Sequence, residues 1–258
     1  MAINLKHARI LISNDDGVEA EGIALLERIA RTLCDDVWVV APLHEQSGAG
    51  HSLSLHKPLR IRQHGERRFS VDGTPTDAVL LGVMEVMKDK RPDLMLSGIN
   101  RGSNLAEDVT YSGTVSAAME ATLLEIPSIA FSNQMRGDVN WAVPEHYTAQ
   151  IIQSLAATDI PHDRLMNVNF PGVSVAEVKG IKICAQGRRK LDDNLDRRVD
   201  PQGRPYIWIG GQRTEPFNDH PDSDFKAVSA NYIAITPLSL DMTDVALLER
   251  MRAAMERA

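Results

Sequence analysis

The sequence predicts a Rossmann-like α/β fold: a largely parallel sheet covered by helices on both faces. Three observations point to it. Short apolar runs alternate with amphipathic stretches over the first two-thirds of the chain. Each run has the length of a buried strand, and each stretch between them can hold a helical crossover. Loops rich in Gly, Asn, Asp and Ser follow the runs, at the strand ends where open parallel sheets bind ligands.

Ala8 to Ser13 (ARILIS) reads as the first buried strand. From Glu21 to Leu33, Ile23, Leu26, Ile29, Ala30 and Leu33 recur at helical spacing. Val37 to Ala41 (VWVVA) is a second buried strand, and Leu59 to Gln63 with Arg68 to Val71 reads as a hairpin around Gly65. Thr74 caps a helix with Pro75 in its first turn, expected to run to about Met87. Strands follow at Leu94 to Ser97, Ser128 to Ser132 and Met166 to Phe170, with helices at about Thr114 to Leu124 and Tyr147 to Ala156. Beyond Gly180 the texture changes. Gly187 to Pro205 is charged and nearly devoid of large apolar residues, then come strand-like Tyr206 to Gly210, polar Gln212 to Asp224, strand Asn231 to Thr236 and a helix from about Asp244. The region at about 187–224 reads either as a hairpin arm on a single domain spanning 1–258 or as a solvated loop.

Composition excludes several classes. With 258 residues, 43% hydrophobic and 24% charged, the chain is an ordinary globular one that needs no staples. No apolar stretch approaches the ~18 residues that span a bilayer, and the N-terminus lacks the apolar core of a secretory signal, so no membrane partner is expected. Cys34 and Cys184 form no CxxC, which leaves a reducing cytoplasm as the expected location. A net charge of -7 argues against a stable nucleic-acid partner. It also means that any phosphate bound here needs a local source of positive charge.

Three loops converge on one rim. Asn14-Asp15-Asp16-Gly17 follows the first strand, Pro42 to Gly50 the second, and Gly98 to Asn104 the Leu94 strand, running on to Asp108 and Tyr111-Ser112-Gly113-Thr114. Adjacent Asp15 and Asp16 suit a hard divalent cation such as Mg²⁺ or Mn²⁺, with a helix cap plus a solvated carboxylate as the alternative. Ser112-Gly113-Thr114 sits at a helix start and reads equally as an anion site or a plain N-cap. Gly48-Ala49-Gly50 imitates a dinucleotide fingerprint but lacks the third glycine and the following helix. The histidines show no metal-ligand spacing, and Asp219, His220, Asp222 and Asp224 read as a solvated loop. Gly187 to Arg198 reads as a solvated face.

ILISNDDG, APLHEQSGAGHSLSL, VDGTPTDAV, SGINRGSN, EDVTYSGTVSAAMEA, PSIAFS, NVNFP and ITPLSLDMT occur in the order seen in the SurE survival-protein nucleotidases, which the chain resembles from Ile10 to about Asp244. The resemblance implies a metal-dependent phosphatase of nucleoside monophosphates, a 5′-nucleotidase with 3′-nucleotides as a further expectation. Carried over by motif, Asp15, Asp16, Ser47 and Asn100 bind the metal, and Asn104 with Ser112, Gly113 and Thr114 forms the phosphate pocket. It further implies a homodimer or homotetramer with an exchanged C-terminal element. Ala106 stands where the family commonly has Gly, and Ser54 where threonine is common. Ala106 reshapes its loop if the position needs positive φ.

On this reading a cation neutralises phosphate and polarises a water for in-line attack. Asp16 is the first candidate to orient or deprotonate that water, and Asp108 the second. An aspartyl-phosphate route through Asp15 lacks a partner lysine motif. The rivals are a nucleotide-sensing module without turnover and a structural domain with ordinary caps.

Overall fold

The computed structural model describes residues 2–188, 195–209 and 220–256. Its strands are β1 (Arg9–Ser13), β2 (Asp36–Pro42), β3 (Ile61–Gly65), β4 (Arg68–Val71), β5 (Leu94–Arg101), β6 (Ser128–Asn133), β7 (Arg164–Phe170), β8 (Ile181–Ile183), β9 (Leu195–Val199), β10 (Pro205–Ile209) and β11 (Ile233–Ser239). Its α-helices are α1 (Glu21–Arg31), α2 (Pro75–Leu81), α3 (Gly113–Leu123), α4 (Ala142–Ala156), α5 (Asp224–Ser229) and α6 (Val245–Met255). Among the described residues nine strands form one sheet in the order β3-β4-β2-β1-β5-β6-β7-β11-β8, while β9 and β10 pair only with each other.

The sheet is parallel from β4 across to β7. β3 runs antiparallel to β4, and β11 antiparallel to β7. Strand periodicity divides the core. Ile10 and Ile12 of β1 join the apolar cluster under α1 and α4, whereas Leu11 joins the cluster under α2 and α3. A sheet buried on both faces needs continuous apolar strands, which is why the central runs lack alternation.

Helix ends depart from the sequence reading for local reasons. Thr74 caps α2 by accepting from the Asp77 N–H, and Asp77 reciprocates at the Thr74 N–H. The α-helix stops at Leu81, not at Met87, and a π turn continues it over Gly82–Val86. Gly82 lies against Val40, where a Cβ would come within 3.2 Å of that side chain. α4 starts five residues ahead of Tyr147, at Ala142, with Pro144 tolerated inside its first turn.

The late region holds the larger corrections. The short β8 and α5 have no counterpart in the sequence reading, and β9 lies inside the stretch read as charged. Asp224 is no solvated loop residue. It is fully buried and accepts from the N–H groups of Ala106 (3.1 Å), Gly187 (2.9 Å) and Phe225 (2.7 Å). Asp219, like 189–194, lies outside the described residues. Leu195 to Arg198 is exposed, with Arg198 paired to Asp196 at 2.6 Å.

Candidate active site

The loops after β1, β2 and β5 meet the start of α3 at one rim of the sheet. Asn14 closes the first loop by donating to the Gly17 carbonyl (2.8 Å), with Gly17 at φ +100°. Main-chain bonds tie the loops together: Gln46 N–H to the Asp15 carbonyl (2.8 Å) and Gly50 N–H to the Tyr111 carbonyl (3.3 Å). No helix follows Gly48-Ala49-Gly50, which agrees with rejecting a dinucleotide fingerprint there.

Asp15 is 4% exposed. The Thr114 hydroxyl donates to its Oδ1 at 2.5 Å, and the Thr114 N–H at the start of α3 also favours its charge. Burial nevertheless outweighs these, and with the neighbouring Asp16 charge it pushes the Asp15 carboxyl up to about 6. Gly113 makes the approach possible. A Cβ there would fall 2.5 Å from the Asp15 Cβ and 2.9 Å from its Oδ2. The helix start that the sequence offered to an external anion therefore holds the Asp15 carboxylate, and Ser112 caps it by accepting from Val115 N–H (3.1 Å).

Asp16 presents a side chain only 5% exposed. Burial raises its carboxyl, the Arg101 N–H (3.3 Å) and guanidinium (4.0 Å) pull it down, and Glu45 pushes it up. Ser47 donates to Glu45 (2.9 Å), which leaves the lone pairs of its hydroxyl oxygen for a ligand. The Asn100 amide nitrogen donates to the Gly102 carbonyl (2.9 Å), so its carbonyl oxygen is the atom available.

A cavity of about 480 Å³ brings together Asp15, Ser47, Asn100, Asn104, Asp108 and Ser112. Asp16 instead lines an adjoining cavity of about 490 Å³ with Glu19, Glu21 and Glu45. Gly113 and Thr114 line neither cavity and stand behind Asp15. Arg101 lines both.

Asn104 is fixed from several sides. Its N–H donates to Asn169 (2.8 Å), its side chain to Ser132 (2.8 Å), and its carbonyl accepts from Asn167 (2.8 Å) and Asn169 (3.0 Å). Two residues on, Ala106 takes φ 55°, the left-handed conformation that glycine adopts without cost. Sequence reasoning missed Arg101, Ser132, Asn167 and Asn169 as site-builders. The NVNFP segment was a usable signal for the last two, because buried asparagines in an apolar strand demand partners.

The donor set fits a hard divalent cation. Two adjacent, nearly buried carboxylates carry raised pKa values, and the neutral oxygens of Ser47 and Asn100 line the same cavity as Asp15. Among the described residues no group of three or more His, Cys, Asp or Glu is placed to hold a metal, which leaves this mixed set as the candidate.

The sequence profile described as survival protein SurE matches residues 10–193. A protein of Paramagnetospirillum magneticum called 5′-nucleotidase SurE is 56% identical over 237 residues, covering 91% of each chain. One of the same name from Rhodospirillum rubrum is 50% identical over 256 residues, covering 97% of each. The crystal structure of the SurE protein from Aquifex aeolicus superposes with a TM-score of 0.84 at 39% identity, covering 96% of this chain and 99% of that one. A rim of this construction in a chain of this fold, matched over nearly its whole length, places the protein in the SurE family.

Proposed function

We propose that the chain hydrolyses nucleoside monophosphates to nucleoside and inorganic phosphate at this cavity, as a metal-dependent 5′-nucleotidase. The observation that carries the reading is the adjacent pair Asp15 and Asp16: Asp15 is buried against the start of α3, the Asp16 side chain is only 5% exposed, and among the described residues Arg101 is the one Lys or Arg that lines their cavities. Asp15, Asp16, Ser47 and Asn100 would hold Mg²⁺ or Mn²⁺. A cation bound there would supply neutralisation of phosphate charge and acidification of a water.

The chain's own residues do the rest. Asn104, locked by Ser132, Asn167 and Asn169, and Ser112 at the cap of α3 face the cavity and orient the phosphate. Gly113 and Thr114 act on phosphate indirectly, by setting Asp15. The water oxygen forms a bond to phosphorus as the ester P–O bond breaks, and the nucleoside oxygen leaves with a proton. Asp16 and Asp108 are the candidates to take the water's proton. Asp108 shares the cavity with Asn104 and Ser112, which supports it over Asp16 for that step.

The hairpin β9–β10 supports a homodimer or homotetramer. Ile207, Trp208 and Ile209 are 55%, 62% and 86% exposed, and an isolated two-stranded ribbon is marginal by itself. The reading is therefore one domain with an arm at about 187–224 that docks on a second copy. Two buried, unpaired cysteines support a cytoplasmic location, and among the described residues no helix is long and apolar enough to cross a membrane.

Phosphate release from nucleoside 5′- and 3′-monophosphates, with and without chelator, tests the reading. Release that chelator abolishes supports it. Nucleotide binding without release would make the chain a sensing module instead.

A further inference from the structure

We propose that Arg101 binds the substrate's phosphate, its guanidinium leaving Asp16 to take nonbridging oxygens of the nucleotide in the rim cavity formed by Asp15, Asn104 and Ser112. The proposal rests on the nucleotidase reading and adds the residue that answers its charge problem. Asp15 and Asp108 bring two carboxylates to the cavity where a phosphomonoester must sit, and Asp16 adds a third in the cavity that adjoins it. A divalent cation offsets two of those charges, and the incoming phosphate adds close to two more.

Among the described residues Arg101 is the one Lys or Arg that lines either cavity, and it lines both. Its main chain is fixed. The N–H donates to Asp16 Oδ2, and the residue pairs with Asn133 at the end of β5. Its side chain is loosely held. It is 50% exposed, and Nε lies 4.0 Å from Asp16 Oδ1, the outer limit of an ion pair. A half-exposed pair of that geometry contributes little, so exchanging it for phosphate costs little. Guanidinium presents a planar fork that matches two phosphate oxygens, and such charge-assisted contacts outrank a long single-point pair.

The fixed main chain and loose side chain thus suit a group that waits on Asp16 and closes on substrate. A purely structural Arg101, there to shield Asp16, makes a different prediction: its loss would disturb metal binding and leave phosphate affinity alone.

Arg101→Met and Arg101→Lys separate the two. Inorganic phosphate titrated calorimetrically into the Mg²⁺-loaded protein reads the contact whether or not turnover occurs. Arg101→Met should weaken phosphate binding roughly 10–100-fold, the loss expected for a charged hydrogen bond. KM for a nucleoside monophosphate should rise by a similar factor and kcat fall less. Arg101→Lys, which keeps charge without the fork, should fall between. The rise in melting temperature with Mn²⁺ should match that of the parent. Unchanged phosphate affinity in Arg101→Met, or a lost metal response with phosphate affinity kept, overturns the proposal. Failure of the parent protein to release phosphate from any nucleotide would count against the nucleotidase reading, with the calorimetric result still deciding Arg101.

Discussion

The rim above β1 and β5 and the hairpin β9–β10 use their side chains in opposite ways. At the rim, side chains that build the site are buried and held by partners distant in sequence, as Asp15 is by Thr114 and Asn104 by Asn169. In the hairpin every residue of strands β9 and β10 is exposed, apolar ones included. Burying polar groups is costly unless each finds a partner, so the rim tolerates little change. Exposing Ile207 and Trp208 is costly unless a second surface covers them, which is the basis for proposing a second copy as the hairpin's partner. Damage at the rim should appear in chemistry, and damage in the hairpin in association.

The largest effect should come from Gly113→Val. Its side chain would enter the space of Asp15, costing ~1–3 kcal/mol of stability through overpacking and removing most phosphate release. Urea melts beside turnover measure both; a stable, active variant would break the account of why α3 begins with glycine. Next, Trp208→Asp should shift the light-scattering mass toward the monomer at micromolar concentration while the melting temperature of the body changes little. An unchanged mass would erase the contrast between hairpin and rim.

Thr114→Val keeps the volume and deletes the hydroxyl that donates to Asp15. A loss of ~1–2 kcal/mol and a fall in kcat are expected, since a buried carboxylate loses a donor. A pure rise in KM would mean instead that Thr114 touches phosphate directly. The smallest effect belongs to Ala106→Gly. Relief of the left-handed φ of 55° should raise stability by up to about 1 kcal/mol, read from urea midpoints.

What the sequence made legible follows the range of the interactions. The runs at Ile10–Ile12 and Val37–Ala41 announce buried strands because a strand covered on both faces must be apolar throughout. Thr74-Pro75 announces α2 because cap and first turn are neighbours in the chain. The loops of the rim were legible as a group, since chemistry gathers at strand ends in this fold. The rest depended on distance. Nothing local to LDRRV marks β9, whose register is set by pairing with β10. Asn167 and Asn169 act on Asn104 from more than 60 residues away, and Asp224 on Ala106 from 118. The start of α3 shows the same limit at the site itself. Its capacity for an anion was readable, but that the anion is Asp15, 99 residues earlier, was not.

The central claim is that Asp15 and Asp16, with Ser47 and Asn100, hold a divalent cation used in hydrolysis. Asp16→Asn tests it most directly, through thermal melts with Mn²⁺ or chelator read beside phosphate release from a nucleoside monophosphate. Removing one of two crowded, buried carboxylates should leave the metal-free protein as stable or more so, because burial and Glu45 both oppose the Asp16 charge. Metal should raise the parent's melting temperature by linkage and the variant's much less, with most turnover lost. Near-parental turnover and an undiminished metal response in Asp16→Asn would contradict the account.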